Sequence, residues 1–148
     1  MNLERYELKA AHDLTTFEFL SEGVKGKIVK VIQFQQMDLP YLFNLAFGDK
    51  DPFTGKLDDK IVTDNGDTDK VLATVVAAVY AFTNYYPNSV VYATGSNAAR
   101  TRLYRMGINK YYEIAEKDFD IMGESQNKWE LYGKGKNYQA FAVHRKKH

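Results

Sequence analysis

Ser89-Val-Val-Tyr-Ala-Thr-Gly-Ser-Asn-Ala-Ala-Arg-Thr-Arg-Leu-Tyr-Arg-Met-Gly-Ile108 is an apolar β-type run that passes through Gly95-Ser96-Asn97 into an arginine-rich helical pattern. Its β-branched composition predicts a buried strand over Ser89–Thr94. The following periodicity predicts a helix over Asn97–Met106, stopped by Gly107 in the C-terminal position where glycine is favoured. Ala99, Leu103 and Met106 mark the side expected to face the core, while Arg100 and Tyr104, four apart, share another face. A strand-to-helix junction of this kind exposes free amides at the positive end of a helix dipole. Gly95, Ser96, Asn97, Arg100 and Arg102 are therefore candidate ligands for a phosphate or carboxylate, with Arg100 the favoured arginine. The same residues also fit an ordinary Asn or Ser cap followed by solvated arginines.

Upstream, Asp69–Tyr85 predicts the other helix, with Val71, Leu72, Val75, Val76, Val79 and Phe82 on its apolar stripe. Ala73, Ala77, Ala78 and Ala81 allow close approach to a sheet. Thr68 or Asp67 can cap it, and Pro87-Asn88 ends it. Thr15–Ser21 and Lys27–Gln35 alternate around the turn residues of Glu22–Gly26 and predict a β-hairpin. Tyr41–Phe47 adds a third strand and completes an antiparallel meander. Residues 1–14 carry few signals. Downstream, Lys128–Tyr132 and Tyr138–His144, joined by Gly133-Lys-Gly-Lys-Asn137, form a second hairpin candidate. Tyr112-Glu-Ile114 and Phe119-Asp-Ile121 are candidate strands in a stretch that is harder to assign.

The resulting order is β-β-β-α-β-α-β-β, an α+β fold with a mixed, mainly antiparallel sheet and two helices. At 148 residues the chain fits a single domain, 1–148, with no repeat or linker to divide it. A charged fraction of 26% and a net charge of +1 give no global reason to expect nucleic acid or an anionic membrane. The absence of cysteine removes disulfides, thiolate zinc sites and cysteine nucleophiles, and fits a reducing compartment. Met1–Leu8 lacks a basic flank and an apolar signal core, so a cytoplasmic protein is expected.

The element order resembles that of the GNAT-type N-acyltransferases, in which a three-strand meander leads to a helix, a central strand, a second helix and a final strand pair. The local likeness is Ser96-Asn97-Ala-Ala-Arg-Thr-Arg-Leu-Tyr104-Arg-Met-Gly107-Ile108. The resemblance implies that Asn97 contacts the pantetheine arm of an acyl-CoA and that Tyr104 is the general acid that reprotonates the departing thiolate. Acetyl-CoA or another CoA-like molecule is then the expected cofactor. That family grips the pyrophosphate with a glycine-rich Arg/Gln-x-x-Gly-x-Gly/Ala loop, where this chain has Asp64-Asn-Gly-Asp-Thr-Asp69. The resemblance therefore implies a degenerate, repurposed GNAT-like fold. The whole chain also resembles a family of uncharacterised bacterial single-domain proteins, through Phe17–Gly23, Asn44–Asp49 and Gly95-Ser96 with Arg100–Tyr104.

Other chemistry is thinly represented. The stretch Asp49–Asp69 sets seven aspartates against three lysines, and a loop of that length is usually functional or disordered. It could hold a hard cation, but Asp49-x-Asp51 lacks the glycine and terminal glutamate of an EF-hand, which favours a solvated loop and no metal. His12, His144 and His148 have no ligand spacing. Eleven tyrosines and nine phenylalanines fit strand packing better than a base-stacking platform. Two functions follow. One is a ligand-binding or transferase domain that holds a phosphorylated or CoA-like molecule at Gly95–Tyr104. The other is a non-catalytic interaction protein, such as half of a toxin–antitoxin-like pair.

Overall fold

A computed structural model describes residues 4–58, 60, 61, 63–94 and 98–147. Their elements run β1 (Lys9–Ala10), β2 (Thr16–Gly23), β3 (Gly26–Gln36), β4 (Leu42–Lys50), β5 (Leu57–Asp58), α1 (Thr68–Tyr85), β6 (Val90–Thr94), α2 (Ala98–Ala115), β7 (Phe119–Ser125), β8 (Lys128–Leu131) and β9 (Ala140–Arg145). The expected α+β class holds. The strands hydrogen-bond in the order β1-β2-β3-β4-β6-β9-β7-β8, with β5 on β4. The sheet is mixed because β4 and β6 run parallel, whereas β1–β2, β2–β3, β4–β5, β6–β9, β7–β9 and β7–β8 are antiparallel. Contacts group the chain into two compact units, Met1–Gln35 with Ala46–Tyr85 and Gln36–Leu45 with Tyr86–His148.

In the first unit the alternation along β2 and β3 puts Phe17, Phe19, Ile32 and Phe34 inside. The stripe of α1 buries Val71, Val75, Ala78 and Phe82, spaced four, three and four apart. Phe34 stacks on Phe82 with ring centroids 4.1 Å apart, and Phe19 lies between Tyr6 and Phe47 at 5.5 and 6.2 Å. Burial of one such ring contributes about 1.5–3 kcal/mol. Thr74 and Thr83 enter the packed face at little polar cost, because their hydroxyls donate to Lys70 O and Val79 O at 2.7 Å.

The acidic stretch 49–69 is organised by its own side chains. Asp51 Oδ1 accepts the amides of Phe53 and Thr54, Asp58 Oδ1 that of Lys60, and Asp64 Oδ1 that of Gly66. Asp49 accepts from Lys30 Nζ at 2.5 Å and from Thr63 Oγ1 at 2.5 Å, and Lys30, 1% exposed, also donates to Thr63 O at 2.7 Å. Asp67 accepts from Tyr6 Oη at 2.5 Å and Ser21 Oγ at 2.6 Å, while Asn65 Nδ2 donates to Ser21 Oγ and Gly26 O. Gly23 permits this docking: a Cβ there would stand 1.9 Å from Asn65 O.

The second unit corrects three expectations. Gly107 does not stop the second helix, which continues to Ala115 and takes in Tyr112-Glu-Ile114 instead of leaving them a strand. A glycine inside a helix costs about 1 kcal/mol, and the buried row Arg100, Tyr104, Gly107 and Tyr111 offsets it. The inward face is also not Ala99, Leu103 and Met106. Each is one residue before a buried position, a rotation of about 100°, and Met106 is 42% exposed. The bodies of two tyrosines and an arginine stem form a wider apolar surface than the residues chosen by side-chain polarity.

The third correction concerns the last strands. Lys128–Tyr132 and Tyr138–His144 are not a hairpin pair, because β7 lies between them in the sheet. β8 folds back on β7 through Gln126 and Asn127, both left-handed at φ 53° and 63°. Residues 132–139 then return the chain to β9, carrying the buried rings of Tyr132 and Tyr138. Tyr138 lies flat on Gly123, where a Cβ would come 2.5 Å from the ring.

Candidate functional site

β6 precedes α2 in the chain. Its parallel pairing with β4 runs from Leu42–Val90 to Asn44–Tyr92, and Ala93 and Thr94 continue on β9. Gly95, Ser96 and Asn97 lie outside the described residues. The first turn of α2 contains no acidic residue, and Arg102 is exposed on its outer side. Arg100 points the other way and is 4% exposed. The structure thus brings Arg100 and Tyr104 together on the packed face and sets Arg102 apart from them.

Tyr104 is buried, and its hydroxyl donates to Leu45 O at 3.4 Å. Burial pushes its phenol up to about 12, with the Arg100 guanidinium pulling weakly the other way. Such a phenol keeps its proton throughout the physiological range. General acids work best with a pKa near the operating pH.

A second polar group lies further along the same helix. Arg105 Nη2 donates to Tyr138 O at 2.9 Å. Arg105 Nε, Asn109 Oδ1 and Tyr132 Oη are shielded from solvent and meet no hydrogen-bond partner among the described residues. Arg105, Asn109 and Tyr112 are spaced four and three apart on α2, which aligns them along one face. The Tyr132 ring packs on Tyr112 at 5.0 Å and on Tyr138 at 5.5 Å. Burial raises the Tyr132 pKa, neighbouring Tyr138 and Tyr112 raise it further, and Arg105 lowers it. Sequence reasoning missed this cluster because it ended the helix at Gly107. The four-residue spacing of Arg105 and Asn109 was the available signal.

Among the described residues no group of three or more His, Asp or Glu is placed to hold a metal ion. Nor is any of their helices long and apolar enough to cross a membrane.

These elements define an α+β protein with a mixed, mostly antiparallel sheet, two helices and a basic helix start behind a parallel strand pair. The chain belongs to a family of unknown function, DUF6934, whose model matches residues 2–146. No curated protein and no solved structure matches it.

Proposed function

We propose that the protein binds a phosphorylated or CoA-like ligand at the β6–α2 junction, residues 95–104. The observation that carries this reading is the start of α2: an 18-residue helix with Arg100 and Arg102 near its first turn and no acidic residue there. It follows the carboxyl end of a strand paired in parallel with β4, and in parallel-paired strands that end is where ligands commonly bind. In this reading Gly95, Ser96, Asn97 and the Arg102 side chain meet the anion, and the Arg100 charge adds to the positive potential of the helix start. In this reading the fold is a degenerate, repurposed GNAT-like one, in a cytoplasmic bacterial protein. Tyr104, with its raised pKa and inward hydroxyl, serves the packing of α2, so binding is favoured over acyl transfer. Asp67, engaged by Tyr6 and Ser21, belongs to the fold.

A thermal-shift series with CoA, acetyl-CoA and nucleotides tests the idea. The expected result is a rise in Tm at millimolar ligand that Arg102→Ala removes without changing the unliganded Tm. No stabilisation by any of them sinks it.

A second reading is favoured by β8. It is the terminal strand of the sheet, with Trp129 42% and Leu131 71% exposed. An exposed, apolar sheet edge invites strand addition by another chain. On this reading the protein is a non-catalytic interaction partner, for example in a toxin–antitoxin-like pair, and a small protein encoded beside it co-purifies with it. Leu131→Lys should then abolish co-purification; retention of the partner by that variant would argue against docking at β8.

A further inference from the structure

We infer that Arg105, Asn109 and Tyr132 form an internal site for one hydroxyl oxygen, supplied by a water molecule or by an alcohol group of a bound small molecule. Three buried polar atoms meet no partner among the described residues: Arg105 Nε, Asn109 Oδ1 and Tyr132 Oη. Arg105 and Asn109 lie one turn apart on α2, and the Tyr132 ring packs at 5.0 Å on Tyr112 of the same helix face. Leaving a buried donor or acceptor unpaired is costly, and native proteins keep such groups few, so three on one helix–loop contact call for a partner. Tyr132, 7% exposed, holds its hydroxyl inside.

The bonding pattern selects the ligand. Arg105 Nε–H can only donate, Asn109 Oδ1 can only accept, and Tyr132 Oη does either. A single hydroxyl oxygen answers all three, since it accepts from Arg105 and Tyr132 and donates to Asn109. A carboxylate oxygen could accept from the first two but would repel the third. Buried waters typically make about three such bonds. The site joins the middle of α2 to residues 132–138, two segments that otherwise meet through aromatic rings and the Arg105–Tyr138 O bond. It is separate from the residues of the proposed anion site, so either can fail without the other.

The test uses the full chain. A crystal structure at a resolution that shows ordered water should contain a density peak within hydrogen-bond distance of Arg105 Nε, Asn109 Oδ1 and Tyr132 Oη. An isolated peak identifies water, and density continuing from it identifies an alcohol ligand. Tyr132→Phe, which removes one bond and keeps the ring, should lower the Tm and reduce the folding equilibrium constant about fivefold. If the hydroxyl were an unpaired group, its removal would leave the Tm unchanged or raise it. Either that result or the absence of the peak overturns the assignment.

Discussion

The Lys30–Asp49–Thr63 group of the first unit and the Arg105–Asn109–Tyr132 group of the second both hide polar atoms from solvent, but they differ in how those atoms are paired. In the first, the ammonium and carboxylate face each other and share Thr63, so each group's bonds are answered by protein atoms. In the second, a donor, an acceptor and a hydroxyl are each left without a partner among the described residues. A saturated network of this kind fixes a loop in place. An unsaturated one has bonding capacity left over, and capacity of that kind is what a ligand needs.

The largest effect should come from breaking the saturated group. Asp49→Ala strands a buried ammonium and should cost about 3–5 kcal/mol in denaturant unfolding. The double variant Lys30→Met, Asp49→Leu should recover most of that loss, because an apolar pair of similar volume avoids the desolvation cost. A small cost for Asp49→Ala would erase the contrast.

The next effect is a pH dependence in the second unit. The folded-state pKa of Tyr104 lies above its ordinary value of 10.0, at about 12. The folded state therefore holds this proton more tightly, so the contribution is intact below pH 10 and is lost as pH rises through about 12. Wild type should lose roughly 2–3 kcal/mol more than Tyr104→Phe over that window. Parallel stability curves for the two proteins would show that the phenol is not held in this way.

Gly123→Ala should cost about 1–3 kcal/mol, since the new methyl collides with the Tyr138 ring. Hydrogen exchange should show the loss first in residues 132–139, the segment that closes the unsaturated group. The smallest stability effect belongs to exposed Arg102. Arg102→Ala should leave unfolding within about 0.5 kcal/mol of wild type while removing the anion-dependent rise in Tm.

Much of the framework was legible because it depends on local periodicity. The α1 stripe, the β2–β3 hairpin and the β6 strand follow from apolar spacing and from Gly, Pro and Asn punctuation. What was illegible depends on distant partners. Gly107 carries a helix stop signal that is overruled by the buried row from Arg100 to Tyr111. The terminal hairpin was misassigned because the Gly133–Asn137 turn signal is stronger than Gln126-Asn127, although only the latter joins paired strands. The candidate junction could be located from its strand-to-helix pattern. The buried cluster could not, since it needs the full length of α2 and the return of residues 132–138.

The turn at Asp51–Lys56 has a practical use. Asp51 N donates to Lys56 O at 2.8 Å and Gly55 N to Asp51 O at 2.8 Å, so the turn is closed at its base, while Phe53 at its tip is 96% exposed. The anchors of the same stretch lie on either side, at Asp49, Thr63 and Asp67. Residues 53–54 therefore mark the first bond a chymotrypsin-like protease should cut in the native protein. For the same reason they are a place to splice in a fluorophore tag or an affinity epitope without disturbing the sheet.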